Sequence, residues 1–382
     1  MLIWYFIYFV AVIGLAVSFK KGKKDTFNYY CLFILVFAAL LSGFRGDMGA
    51  DYLGYRMIFE ETPDLFEWVV EGKKLSAYYG LEYGYSLIIS IFKTFTTKLN
   101  LFYFFQTVVI YILIIAGVKR YEGPMTASLA FYTLLFFPGH FGQQRMAIIY
   151  SATFFLSSLI LKRQWRKFHI GVIGIALVQY TALAFMPAYI VLKSLVPVNY
   201  TNSKGLYVPF LILLFIFAFV LLLTLRFNIF QILFDVVGGA VSGGNILVYK
   251  FTSYFVRIEE DMNILNAIFG LVAHLGLIVI LFIYRNIWLD SSSARLFVLY
   301  FVGFILFVLT YKFPWLSDRV FRMYSVPAQI VVFAKVLNSS RSDSVMMKLA
   351  LIIIVSYLYF SFIQSETGPY IMFKLSDAGI SF

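Results

Sequence analysis

A small set of arginines stands apart from the other basic residues of this chain. Most Lys and Arg fall in short links between apolar runs, but Arg45, Arg56, Arg145, Arg226, Arg257, Arg319 and Arg322 fall at the opposite ends of those runs. Inserting an arginine at membrane depth costs about 2.5–3.5 kcal/mol, so such a residue usually answers to something anionic. Arg145 opens an apolar run directly after the break Pro138-Gly139-His140-Phe141-Gly142, with Gln143 and Gln144 before it. Arg319 and Arg322 follow Pro314-Trp315-Leu316-Ser317-Asp318, which predicts a helix capped by Ser317 or Asp318 with both arginines in its first turn. A helix N-terminus presents free N–H groups and the positive end of the helix dipole. Guanidinium groups added there make a phosphate site, because arginine grips phosphate through a bidentate fork. Two such helix starts on one membrane face predict a pyrophosphate. The competing reading pairs these arginines with Asp318 and Glu60, or with lipid headgroups.

The segment Gly43-Phe44-Arg45-Gly46-Asp47-Met48-Gly49-Ala50-Asp51-Tyr52-Leu53-Gly54-Tyr55 gathers Arg45, Asp47 and Asp51 into one Gly-rich turn. Glycines let backbone approach a ligand closely. Asp51 could take a proton from an attacking hydroxyl, or hold an arginine in place. Two carboxylates in a D-x-x-x-D spacing without further ligands are weak grounds for a metal, so neither metal nor cofactor is expected. His140, five residues before Arg145, is a candidate base; His274 reads as a packing or interhelical hydrogen-bond residue, and His169 falls on the cytoplasmic side with no role.

The elements that must position these groups are hydrophobic helices. The 382 residues are 62% hydrophobic and only 13% charged, against about 25% charged in a soluble domain. Apolar runs recur along the whole chain: Leu2–Phe19, Thr26–Phe44, Leu99–Val118, Met125–Pro138, Gln143–Leu161, Leu206–Leu225, Asn263–Tyr284, Arg295–Tyr311, Arg319–Lys335 and Met346–Ile363. A further run, His169 to Leu192, is interrupted by Gln179-Tyr180-Thr181 and Pro187, and reads as two half-spans turning near Gln179. Together they predict an all-α, polytopic integral membrane protein with about 12 transmembrane helices, some short or broken. The whole of 1–382 reads as one transmembrane domain, with a first outer loop over 45–98 and a second over 226–262. Within the first, Gly84–Thr97 is short and carries Lys93, so it reads as an interfacial helix. Basic links such as Lys20–Lys24, Lys119–Arg120 and Lys162–Lys167 set the cytoplasmic side, and the net charge of +12 reflects anionic lipid there rather than nucleic acid. The lone Cys31 excludes a disulfide framework.

Arg45-Gly46-Asp47-x-x-x-Asp51-Tyr52-x-x-Tyr55, the span opening Gln144-Arg145-Met146-Ala147 and the basic Lys162–Lys167 link resemble the EpsG family, which is akin to the Wzy polymerases of O-antigen and exopolysaccharide synthesis. The resemblance covers residues 25–195 well and Trp315–Tyr324 more loosely. It implies a GT-C-like membrane glycosyltransferase of the bacterial inner membrane, with its active site facing the periplasm. Such an enzyme joins undecaprenyl-pyrophosphate-linked oligosaccharides, donor to acceptor, within membrane lipid and alongside a chain-length regulator. The implied catalytic set is Asp51, Arg145, Glu60 and His140. Arg45, Arg145, Arg319, Arg322, Gln144, Tyr52, Tyr55 and Gln179 are the implied binding set. Family members carry a histidine in an F-H-x-S-A-L stretch where this chain has Val178-Gln179-Tyr180-Thr181-Ala182-Leu183. Gln179 cannot act as an acid or base, which shifts weight to Asp51 and Glu60.

Three rival readings remain at this point. A lipid-linked-sugar flippase needs charge in mid-span, where this chain has almost none. A transferase using a polyprenyl monophosphate sugar is kept open by Asp47 and Asp51. An O-antigen ligase would need room for a larger acceptor.

Overall fold

A computed structural model describes residues 2–21, 27–46, 49, 51–75, 82–195, 207–226, 264–288, 290–310, 314–339, 345 and 348–360. The described residues are helical, with turns and no strand. They fall into two compact units, Met1–Leu183 with Gln329–Phe382, and Ala184–Ala328.

The first unit is built on α1 (Leu2–Lys21), α2 (Tyr29–Gly43), α6 (Leu99–Arg120), α7 (Met125–Leu135) and α9 (Gln144–Leu161). Asn28 starts α2: its side-chain oxygen accepts from the Tyr30 and Cys31 amides at 2.9 and 3.3 Å, satisfying two donors the helix cannot. The Asn28 amide also donates to Thr126 at 2.7 Å, which aligns the starts of α2 and α7. α7 is the hub, with every residue from Met125 to Leu134 buried. At one end of this bundle lie Lys119 and Arg120, Arg120 donating to Ser158 at 3.1 Å near the end of α9. At the other end lie Gly43, Arg45, Asn100 and Arg145. The C-terminal part of α16 (Pro314–Leu337) and α17 (Lys348–Phe360) complete the unit. Asn338 and Ser18 exchange hydrogen bonds at 2.8 and 3.0 Å, and Tyr359 donates to the Trp4 carbonyl at 2.6 Å.

The described residues of 45–98 form a cap over the Arg145 end, carrying α3 (Tyr52–Glu61), α4 (Leu65–Val69) and α5 (Tyr83–Lys93). α5 has 11 residues, about 16 Å at 1.5 Å per residue, so it cannot cross a hydrocarbon core of about 30 Å. It buries Tyr85, Ser86, Ile89 and Ser90 on one face and exposes Tyr83, Ile88 and Ile91 on another, as an interfacial helix does. Gly49 has φ +110°, and a Cβ there would run into the Phe141 carbonyl oxygen, so only glycine lets the cap dock here.

After α9, α8 (Gly139–Gly142) lying just before it, the chain continues through α10 (Trp165–Ala176). The apolar run expected to turn near Gln179 does break there. α10 stops at Ala176, a 3-10 turn covers Tyr180–Phe185, and α11 (Ala188–Leu195) follows Pro187.

The second unit holds α11, α12 (Tyr207–Arg226), α13 (Ile264–Ile283), α14 (Arg285–Trp288), α15 (Ser291–Leu309) and the N-terminal part of α16. Phe210 stacks on Phe282 at 3.6 Å and Phe217 on Phe304 at 5.4 Å, joining α12 to α13 and α15. His274 shares a 2.9 Å hydrogen bond with the Tyr300 hydroxyl, the interhelical role its mid-span position predicts.

Among the described residues, three helices are long and apolar enough to cross a membrane: Leu99–Arg120, Ser292–Leu309 and Ser317–Leu337. Six apolar helices are shorter, such as Tyr29–Gly43 and Met125–Leu135. These helices account for part of the expected dozen full or broken spans. α7 is shorter than its apolar run: it ends at Leu135, three residues before Pro138, because tight turns take over at Phe136–Pro138. Asp47, the second outer loop beyond Arg226 and the tail after Gln364 lie outside the described residues.

Candidate active site

The break after α7 builds the floor of the site. Gly139–Gly142 forms one short turn, and α9 starts at Gln144 with Arg145 as its second residue, as the Pro-Gly pattern predicts. Gln144 is held from two directions. Its amide donates to the His140 carbonyl at 2.9 Å, and Gln106 of α6 donates to its side-chain and backbone oxygens at 2.9 and 3.2 Å.

Arg45 enters from the end of α2. Its Nη1 donates to the His140 and Phe141 carbonyls at 2.7 and 3.0 Å, and its guanidinium lies 4.1 Å from the Tyr103 ring centre. The residue is only 4% exposed, and burial lowers its pKa. Arg45 thus clamps the link between α7 and α9. Tyr52 and Phe141 add aromatic faces at 5.6 and 5.7 Å.

Arg145 meets a partner the local sequence pattern does not reveal. Its Nη1 pairs with the Glu82 carboxylate at the start of α5. Glu82 is 3% exposed and Arg145 23%, so the acid is sealed and the guanidinium sits at the boundary. Tyr55 and Tyr85 rings lie 6.0 Å from the Arg145 guanidinium carbon, and the Arg145 amide points at the Tyr55 hydroxyl at 3.5 Å. Gln179 is buried close by in the chain: its neighbour Leu177 accepts from the Gly84 amide at 2.9 Å, and Thr181 contacts Met146 sulfur at 3.6 Å.

The candidate set therefore divides. Arg45, Arg145, Gln144, Tyr52, Tyr55 and Gln179 collect in the first unit around the α9 start. Asp51 lies exposed at the head of α3. Glu60 points outward and pairs at 2.8 Å with Arg56, both more than half exposed, so its carboxylate does not face this cluster. His140 is an internal residue rather than the open loop histidine expected. Its Nε2 shares a 2.8 Å hydrogen bond with the Tyr132 hydroxyl, and burial beside Arg45 pushes its pKa down to about 3. It lies in the link between the helices, and its ring packs edge-on against Tyr132 and Phe137.

Arg319 and Arg322 belong to the second unit. The expected cap at Ser317 or Asp318 is displaced: α16 already begins at Pro314, since proline lacks an N–H and suits the first turn. Ser317 instead donates to the Phe307 carbonyl at 3.1 Å, and Asp318 accepts from Arg322 Nε at 2.7 Å. Arg319 and Arg322 thus sit in the second and third turns, and Arg322 has the acidic partner that the competing reading gave it. No group of three or more metal-ligating side chains occurs among the described residues.

A signal for Glu82 did exist. It is the acid that stands directly before an apolar helix in the first outer segment, flanked by Tyr79, Tyr83 and Tyr85. An isolated carboxylate at that boundary needs a cation.

The arrangement couples a cation at a helix N-terminus, a sealed carboxylate and several phenols, a set suited to holding an oxyanion beside a group able to accept a proton. Compared with known proteins, the chain matches the EpsG family model over residues 27–375. No curated protein and no solved structure matches it. With that match spanning nearly the whole chain, and with apolar helices fit for a bilayer, the protein belongs to the EpsG family and is a polymerase-like membrane protein of polysaccharide biosynthesis.

Proposed function

We propose that this protein joins oligosaccharide repeats carried on undecaprenyl pyrophosphate, at the outer face of the bacterial inner membrane, on a GT-C-like scaffold of about 12 spans. The observation that carries the reading is Arg145, set in the first turn of α9 with its guanidinium at the exposed boundary of the Glu82 pair. A hydroxyl of the acceptor repeat attacks the anomeric carbon of the donor. The bond from that carbon to the pyrophosphate oxygen breaks, and the hydroxyl proton passes to a carboxylate. Pyrophosphate is a good leaving group, so the main requirement is to neutralise its growing negative charge. Arg145 and the helix N-terminus meet that demand. Asp51 is the acceptor-side base or organiser.

The outer orientation is supported by charge: Lys119, Arg120, Lys162 and Arg163 gather at the end of the first unit away from Arg145. A chain-length regulator is the expected protein partner. The test is repeat-unit polymerisation in membranes carrying Arg145→Ala at wild-type expression. The reading predicts unpolymerised, lipid-linked repeats. Full-length polymer from that variant overturns it.

A further inference from the structure

The cap over the α9 start buries more hydrogen-bond donors than the described residues can satisfy. Arg45 uses Nη1 on two carbonyls, but its Nε and Nη2 find no acceptor, and no carboxylate pairs with it, among the described residues. The hydroxyls of Tyr103 and Tyr85, each residue 1% exposed, have no hydrogen-bond partner there either. The Arg45 guanidinium lies over the face of the Tyr103 ring, 4.1 Å from its centre. Tyr85 stands within electrostatic reach of both Arg45 and Arg145, and Arg145 Nε is itself buried and unpartnered. Each buried polar group left unpaired costs about 1–3 kcal/mol, and native structures keep such groups few. Several in one cluster, on a cationic centre, call for an acceptor-rich group.

We infer that Arg45, Tyr103 and Tyr85 form a built anion site beside Arg145, which takes a phosphate of a diphosphate group. A guanidinium only donates, and a phenol donates readily, so the missing partner is an anion rather than a neutral sugar. Phosphate fits better than carboxylate because its oxygens point in three directions, matching donors from α2, α5 and α6. Glu82 already pairs with Arg145, and among the described residues Arg45 has no carboxylate partner. The site is closed as seen, since these atoms have no solvent contact. The inference rests on the polymerase reading for the identity of the diphosphate, the head of the lipid carrier.

The test uses the full-length purified protein in nanodiscs of neutral phosphatidylcholine, titrated with inorganic pyrophosphate. Wild type is expected to bind, Tyr85→Phe and Tyr103→Phe each about tenfold more weakly, since each loses one hydrogen bond to a charged oxygen. Unfolding temperatures of both variants are expected to stay level or rise, because an unsatisfied hydroxyl has been removed. A purely structural hydroxyl gives the reverse pattern, a lower unfolding temperature with unchanged binding, and that result overturns the inference. So does a wild type that does not bind pyrophosphate. Repeating the titration with phosphatidylglycerol in the disc separates the sources: if that lipid blocks pyrophosphate in wild type, the site serves bulk headgroups and the diphosphate assignment falls. The two readings fail separately. Normal polymer from Arg145→Ala with Tyr-dependent pyrophosphate binding removes the polymerase mechanism and leaves the site. Tyr-independent binding with a dead Arg145→Ala removes only the site.

Discussion

Cutting the Glu82–Arg145 pair is the perturbation whose size can be worked most directly. Pairs on open surfaces are worth about 0.2–1 kcal/mol, whereas removing one member of a buried pair costs about 3–5 kcal/mol. Glu82 is 3% exposed and Arg145 23%, so the pair lies nearer the buried limit, with water screening on the arginine side. Glu82→Ala leaves Arg145 partly able to reach water and should cost about 2–3 kcal/mol. Arg145→Ala strands a sealed carboxylate and should cost about 3–4 kcal/mol. Glu82→Gln keeps an acceptor for Nη1 without the charge, and should lose about half as much as Glu82→Ala. Removing both members should cost about 2 kcal/mol less than the sum of the single losses, because neither charge is left stranded. Reversible unfolding in micelles, run as a double-mutant cycle, reads that coupling. Single losses that add to within about 0.5 kcal/mol would refute the pairing and with it the geometry assigned to the α9 start.

Gly49→Ala drives a Cβ into the Phe141 carbonyl at a φ of +110°, combining backbone strain of about 1–3 kcal/mol with overpacking of about 1–3 kcal/mol. The expected outcome is faster proteolytic cutting within 45–98, measured on intact vesicles, while the remaining spans stay protected. His140, with its folded pKa near 3 against about 6.5 unfolded, favours the neutral form on folding. Its contribution is complete above about pH 6.5 and is lost as pH falls towards 3, at up to about 1.4 kcal/mol per pH unit. His140→Gln should flatten that slope in acid-unfolding curves, and polymerase activity between pH 5 and 8 should show no transition owed to His140. Arg56→Ala and Glu60→Ala break an exposed i,i+4 pair, so each should change stability by less than about 0.5 kcal/mol and leave polymer yield at the wild-type level.

What the sequence reveals here is mostly what local pattern controls. The α9 start at Gln144–Arg145 is legible because Pro138, Gly139 and Gly142 forbid a continuous helix, and the break near Gln179 is legible from polar residues inside an apolar run. The shortness of α5 is legible from its length between charged flanks, and Lys93 at its end donates to the Thr62 carbonyl at 2.6 Å. Long-range pairing is not legible in this way. Glu82 lies 63 positions from Arg145, and nothing in either neighbourhood names the other. The burial of His140 depends on Tyr132 and Arg45 closing around it, a tertiary event that a histidine in a Pro-Gly link does not announce. The α16 start differs from the expected one because Ser317 and Asp318 look like caps, yet Pro314 suits the first helical turn better, and both side chains serve other partners. Glu60 illustrates helical phase: Tyr52, Tyr55 and Phe59 take the inner face of α3, which turns Glu60 outward.

Donor chemistry at the α9 start separates a pyrophosphate-linked from a monophosphate-linked sugar. Purified full-length protein, reconstituted in lipid, is given an oligosaccharide repeat on undecaprenyl pyrophosphate or, separately, a single sugar on undecaprenyl monophosphate. The expected result is a ladder of products spaced by one repeat from the pyrophosphate donor, absent with Arg145→Ala, and no transfer from the monophosphate. Sugar transfer from the monophosphate alone, or an undiminished ladder from Arg145→Ala, overturns the proposed role of Arg145 at a pyrophosphate.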